Sequence, residues 1–288
     1  MRLLPSILFF VACSEYSLEE KIDNNLGTDS GETEDVLPDT AEEEERDENA
    51  PVAVCTVSPQ TVTPPFQAAT FDGSGSYDPS GSPIASYEWS LITRPNGSSA
   101  TLPFTSANQI PGFYADLAGV YTAELTVTNQ LGLTDSCVVT LESLPTQNLW
   151  VEMFWDQVDD MDLHLIAPGG SYNDWDTDCY YSNCVNGGLD WGVLGDSSDD
   201  PSLDLDDIDG LGPENINIYS PQANGTYKVV VHDYTGSAPM DTQGGNNVTV
   251  NVYLNGGLAW TDTRVITGDG TVTEFCEINW GTQTVNPL

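Results

Sequence analysis

Basic residues are almost missing from this chain. Its 288 residues include six Lys and Arg against 45 Asp and Glu, a formal net charge of −39. A surface of that sign repels nucleic acid and anionic lipid headgroups, which removes both as partners. Histidine is scarcer still, with only His164 and His232. No Gly-x-Ser-x-Gly turn occurs and no cysteine lies in a reactive motif, so the common hydrolase nucleophiles are unrepresented. No long stretch carries apolar residues at i, i+3, i+4 and i+7, which excludes a helical domain. The apolar run at residues 3–10 falls well short of the roughly 20 residues that cross a bilayer.

What is present is acid, unevenly placed. Residues 14–50 hold 15 Asp and Glu against two Lys and Arg, residues 51–145 seven against one, and residues 146–288 23 against two. The first block is mostly Glu with few apolar residues. It cannot bury enough surface to fold, and its charges extend it into a solvated, disordered tether. The last block is almost all Asp among Gly, Asn, Trp and Tyr. Asp clustered on turns is the raw material of calcium sites.

Residues 1–13, MRLLPSILFFVAC, combine one arginine, a short apolar run and small Ala12 before Cys13. This resembles a bacterial lipobox, in which the signal peptide is cut before a diacylated cysteine. The resemblance implies lipidation at Cys13, export, and an acyl anchor in the membrane. Ser14 stands where an inner-membrane retention signal prefers Asp, so the expected location is the cell surface, on the outer membrane. The tether at 14–50 then holds the rest of the chain away from the lipid.

Five cysteines remain. Cys55 and Cys137 lie in β-like runs near the two ends of the middle segment, and a disulfide between them would staple its first strand to its last. Cys179 and Cys184, in CYYSNC, could close a small loop. Cys276 is then left unpaired, or pairs with one of those two instead. No second CxxC or nearby histidine completes a cysteine zinc set.

The middle segment, 51–145, reads as a β-sandwich. FDGSGSYDPSG (71–81) is turn chemistry, with Asp72 and Asp78 capping their own backbone. Tyr87 and Trp89 alternate with Glu88, and Tyr121, Ala123, Leu125 and Val127 keep the same period of two. FDGSGSYDPSG followed by IASYEWS, then AGVYTAELTVTNQLG (118–132), resembles the signature and closing strands of PKD domains. The resemblance covers essentially the whole segment. It implies an immunoglobulin-like sandwich acting as a spacer or weak contact module, with nothing catalytic.

Residues 146–288 continue the period of two in LWVEMFW (149–155), DLHLI (162–166), TYKVVV (226–231) and VTVNVYL (248–254), separated by Gly/Asn turns. At least six such strands predict a second antiparallel sandwich, jelly-roll or immunoglobulin-like. The chain is thus all-β: two antiparallel sandwiches behind a disordered acidic tether. Asp156, Asp159, Asp160 and Asp162 fall within seven residues, and Asp204, Asp206, Asp207 and Asp209 within six. Ca²⁺ takes about 6–8 oxygen ligands, which such runs and loop carbonyls can supply, and Lys228 and Arg264 are too few to neutralise them. The second run is expected beside Asp159 to Asp162. The competing reading is a solvated acidic surface.

WDQVDDMDLHL (155–165), LDDIDGLGPE (205–214) and GTYKVVV (225–231) resemble three islands of the YfaP-like family, an exported bacterial β-domain with no established activity. His164 and His232 sit in strands, and alternation makes them structural or surface residues. Any Asp-rich surface offers carboxylate pairs that a glycoside hydrolase could use, which is availability rather than evidence. Trp175, Tyr180, Tyr181 and Trp191 lie in a Gly/Asn/Asp-rich stretch, 168–195, that reads as a long loop. Exposed, those rings would stack on sugars or grip a protein partner; folded back around a Cys179–Cys184 clip, they would be buried. The sequence therefore predicts a non-enzymatic surface lipoprotein with a calcium-stabilised adhesion or ligand-contact module. A carbohydrate-binding accessory module is the second expectation, and an unrecognised hydrolase the third.

Overall fold

A computed structural model describes residues 47–208, 210–235 and 245–288. Cys13, nearly all of the acidic tether and Asp209 lie outside the described residues. Among the described residues every regular element is a strand.

The first sandwich holds β1 (Thr56–Ser58), β2 (Thr61–Val62), β3 (Ala68–Asp72), β4 (Ser86–Thr93), β5 (Gln109–Tyr114), β6 (Gly119–Thr128) and β7 (Thr134–Ser143). Its sheets run β1-β3-β5 and β2-β7-β6-β4. β6 shows why: Tyr121, Ala123, Leu125 and Val127 are fully buried, while the residues between them are not. Phe71 stands 5.7 Å from Trp89 and 5.4 Å from Phe113, and Phe113 meets Tyr121 edge-on at 5.5 Å. Trp89 donates its indole N–H to the Ala107 carbonyl, so its one polar atom is satisfied inside the core. Asp72 and Asp78 accept from the Ser74 and Ser80 backbone N–H groups, each at 2.8 Å, as turn caps. Cys55 and Cys137 form a disulfide across the sandwich. The sheets are antiparallel, as the sequence predicts, and the short β2 adds to β7 in parallel, through Thr61 opposite Glu142. The two-residue β2 runs alongside the last strand to close that sheet edge.

The second sandwich holds β8 (Leu149–Phe154), β9 (Met161–Ile166), β10 (Asp178–Cys179), β11 (Pro201–Leu205), β12 (Glu214–Ile218), β13 (Thr226–Asp233), β14 (Asn246–Leu254), β15 (Gly257–Ile266), β16 (Val272–Asn279) and β17 (Thr284–Pro287). Two five-stranded sheets, β10-β9-β13-β16-β17 and β11-β12-β8-β14-β15, face each other over one core. Leu149, Val151 and Met153 of one sheet meet Met161, Leu163 and Leu165 of the other.

Both β8 and β9 are buried along their whole length, outer faces included. Period-two patterning alone would leave alternate residues in water. The outer face of β8 carries Glu152, whose Oε1 accepts the Ala118 N–H of the first sandwich at 2.6 Å. Beside it, a Cβ on Gly97 would run into the Phe154 ring, so the turn at Gly97 packs there only because it is glycine, with φ at +82°. The outer face of β9 carries Asp162 and His164, and Tyr172, Asp178 and Tyr180 from the segment that follows cover it. Cys179 and Cys184 close a disulfide within that cover. Cys276 is free and buried, and burial pushes its thiol up to about 12.

Candidate functional site

Strand pairing sets the site. Antiparallel β9 and β13 place His232 opposite Asp162, and Val230 opposite His164. Leu163, Val229 and Val231 point into the core, so Asp162, His164 and His232 share the outer face. The carboxylate of Asp162 and the rings of His164 and His232 each bring one ligand atom within 4.8 Å of the other two. His232 Nδ1 lies 3.2 Å from Asp162 Oδ2.

His164 is 2 % exposed. Its Nδ1 faces Asp178 Oδ2 at 2.9 Å, and the Asn173 N–H donates to the same oxygen. Its Nε2 is buried with no hydrogen-bond partner among the described residues. Tyr180 stacks on the ring, with centroids 4.9 Å apart and planes 13° apart, and Tyr172 leans on it from 4.9 Å. Tyr172 and Tyr234 flank His232 at 6.2 Å and 5.9 Å. Burial, then the charges of Asp178 and Asp162, raise the Tyr172 hydroxyl above its usual range. Tyr172 also lines a cavity of 360 Å³ that runs past Lys228 and Glu274.

On its other side Asp162 meets a second group. Asp162, Asp206 and Glu214 bring one carboxylate oxygen each within 4.8 Å. Glu214 opens β12 and is almost wholly buried. It accepts the Leu163 N–H at 2.7 Å, and burial, reinforced by the charge of Asp162, holds its carboxyl well above the usual carboxylate range. The turn that delivers Asp206 is strapped down by Trp155, whose backbone N–H and indole N–H donate to Leu211 and Gly210, and by the Asp159 N–H donating to Gly210. Gly212 in this turn, at φ +82°, sits against Phe154 and Trp155. Lys228 and Arg264 make their ion pairs with Glu274 and Asp262 instead.

Of the eight aspartates singled out in the sequence, the structure therefore brings Asp162 and Asp206 together. Three others are engaged elsewhere. Asp156 caps the Asn247 backbone and side chain, Asp204 binds Ser202 and Asn217, and Asp207 caps the Gly212 N–H. Asp159 accepts from the Asp160 N–H next along the chain, and the carbonyl of Asp160 accepts from Tyr234. Asp209 lies outside the described residues. Sequence spacing alone passed over His164, His232, Glu214 and Asp178, although the phrases DLHL and GPE contain two of the four.

The aromatic quartet also divides. Trp191 is buried, stacked 6.3 Å from Tyr227, with its indole N–H on the Asp176 carbonyl, so it offers no ring to a ligand. The stretch 168–195 is not a free loop but a cover, folded back because the Cys179–Cys184 clip and Trp191 anchor it. Tyr180 is half-buried against His164, while Tyr181 stays partly open and Trp175 is 60 % exposed.

Residues 58–142 match the family described as K319L-like, PKD domain, which makes the first sandwich an immunoglobulin-like PKD domain. That domain type and the two disulfides fit an exported protein. No curated protein matches the chain. Among solved structures, one presented as "Structural basis for the promiscuous specificity of the carbohydrate-binding modules from the beta-sandwich super family" is similar over 80% of this chain and 84% of that chain. The identity is 12% and the TM-score 0.28, too low for that ligand to bear on this site.

Proposed function

We propose that this chain is an exported, non-enzymatic ligand-contact protein whose second sandwich, which resembles the YfaP-like domains, is held in shape by Ca²⁺. The observation that carries the reading is the carboxylate group Asp162, Asp206 and Glu214, of which two members are buried, at a point where Lys228 and Arg264 are committed elsewhere. Buried carboxylates so close together need protons or a cation to coexist. Oxygen-only ligands at a turn suit Ca²⁺. The acyl anchor at Cys13, outer-membrane placement and a role in adhesion belong to the same proposal. The carbohydrate-contact alternative keeps Trp175 as its exposed ring.

Thermal melting of the chelator-treated chain, with and without Ca²⁺, tests this. A hundredfold excess over Kd adds about 2.7 kcal/mol, which at about 2–4 °C per kcal/mol raises the midpoint by roughly 5–10 °C. Glu214→Gln should abolish the rise. A midpoint indifferent to Ca²⁺ in the unsubstituted chain would sink the proposal.

A further inference from the structure

The two histidines have no part in a calcium site, because Ca²⁺ takes oxygen and leaves imidazole nitrogen aside. Yet they are placed as ligands are placed. His164 is nearly inaccessible and presents a ring nitrogen with nothing to bond to among the described residues. Buried polar atoms are almost always partnered, and an exception asks for a missing group. The missing group can be characterised. In the neutral ring, an Nδ1–H donating to the Asp178 carboxylate leaves Nε2 as a bare lone pair. A carboxylate on the far nitrogen is the arrangement that orients a metal-bound histidine and raises its basicity. A lone pair takes a metal ion or a hydrogen-bond donor, and none of the described residues donates to it.

The neighbours are of the right kind. Asp162 and His232 supply a carboxylate oxygen and a second imidazole within 4.8 Å. Bonds of about 2.0–2.1 Å to a tetrahedral ion place ligand atoms roughly 3.3 Å apart, close to the 3.2 Å between His232 Nδ1 and Asp162 Oδ2. A plain hydrogen bond explains that one distance equally well, but it does nothing for Nε2 of His164. The site is also built. Tyr180 and Tyr172 hold the first ring, and Tyr172 and Tyr234 flank the second.

We propose that Asp162, His164 and His232 bind a divalent transition-metal ion of the zinc type, with Asp178 as the positioning residue for His164. Two imidazoles and a carboxylate are a borderline donor set, which such ions prefer and Ca²⁺ does not. The site stands whether or not Asp206 and Glu214 hold Ca²⁺, although Asp162 belongs to both groups.

The test uses the full-length chain stripped with chelator and equilibrated with Zn²⁺ alone, bound zinc being measured by mass spectrometry. About one zinc per chain is expected. His164→Ala should lose it, His232→Gln should weaken it at least tenfold, and Asp178→Asn should weaken it about 10–100-fold. Glu214→Gln, which removes the calcium response, should leave zinc uptake unchanged, so the two sites fail separately. Because His164→Ala could perturb folding, Co²⁺ is added to the unsubstituted chain as a second measurement. Visible d–d bands of nitrogen-ligated cobalt that disappear on adding Zn²⁺ support the site. No zinc uptake, a cobalt spectrum like that of the hydrated ion, or uptake indifferent to His232→Gln overturns it.

Discussion

Glu152 is a carboxylic acid with almost no water around it. It is 1 % exposed on β8, and burial pushes its pKa from 4.5 to about 7, although the Ala118 N–H it accepts pulls the other way. Between those two values the folded chain keeps the proton that the unfolded chain loses. Its stabilising effect is therefore complete below pH 4.5, falls as pH rises, and is gone above about 7, where the ionised acid is a constant burden. At about 1.4 kcal/mol per unit, the swing is on the order of 3 kcal/mol. Glu152→Gln should flatten the dependence of the melting midpoint on pH across this window and raise the midpoint above it. Glu214 also carries a raised carboxyl, so the difference between the two chains, not either curve alone, isolates Glu152. A variant whose curve parallels that of the unsubstituted chain would remove burial as the cause.

At the scale of elements, the segment between β9 and β11 matters most, because it turns an open sheet face into an enclosed one. Its short β10 pairs with β9 through Cys179 opposite Leu165, and the disulfide to Cys184 holds Tyr180 over His164. A loop this short contributes about 2 kcal/mol by chain entropy. Replacing both Cys179 and Cys184 by Ser should speed amide hydrogen exchange across residues 172–184 while leaving β14 and β15 slow. Equal protection in both proteins would mean that Trp191 alone anchors the cover. The period of two made β6 legible, since Tyr121 to Val127 face one continuous core. It could not foresee that β8 and β9 are buried on both faces, because their covers come from Gly97 and Ala118 for β8 and from Tyr172, Asp178 and Tyr180 for β9, which no local pattern connects to them. The candidate site escaped for a related reason. Spacing along the chain groups Asp156 with Asp162, whereas the fold groups Asp162 with His232 by strand register and with Glu214 across the two sheets.

Taken whole, the described chain is two stapled sandwiches joined at a seam where Glu152 meets Ala118. The acid excess is divided between the Glu-rich block at 14–50 and an Asp-rich second sandwich, with the PKD domain only mildly charged. That division and the Cys55–Cys137 staple were readable from the residues, while Cys179–Cys184 was one of the pairings they left open. The seam was not readable, since Glu152 looks like an ordinary outward strand residue until another domain covers it. One cysteine then stands apart from all these joints. Cys276 is sealed in the second core with its thiol held up to about 12, so in the folded chain it is chemically silent. It becomes reactive only when that core opens. In a Cys13→Ala chain, the labelling rate of this single thiol is an internal clock for unfolding of the second sandwich, and it should slow whenever a bound cation stabilises the closed form.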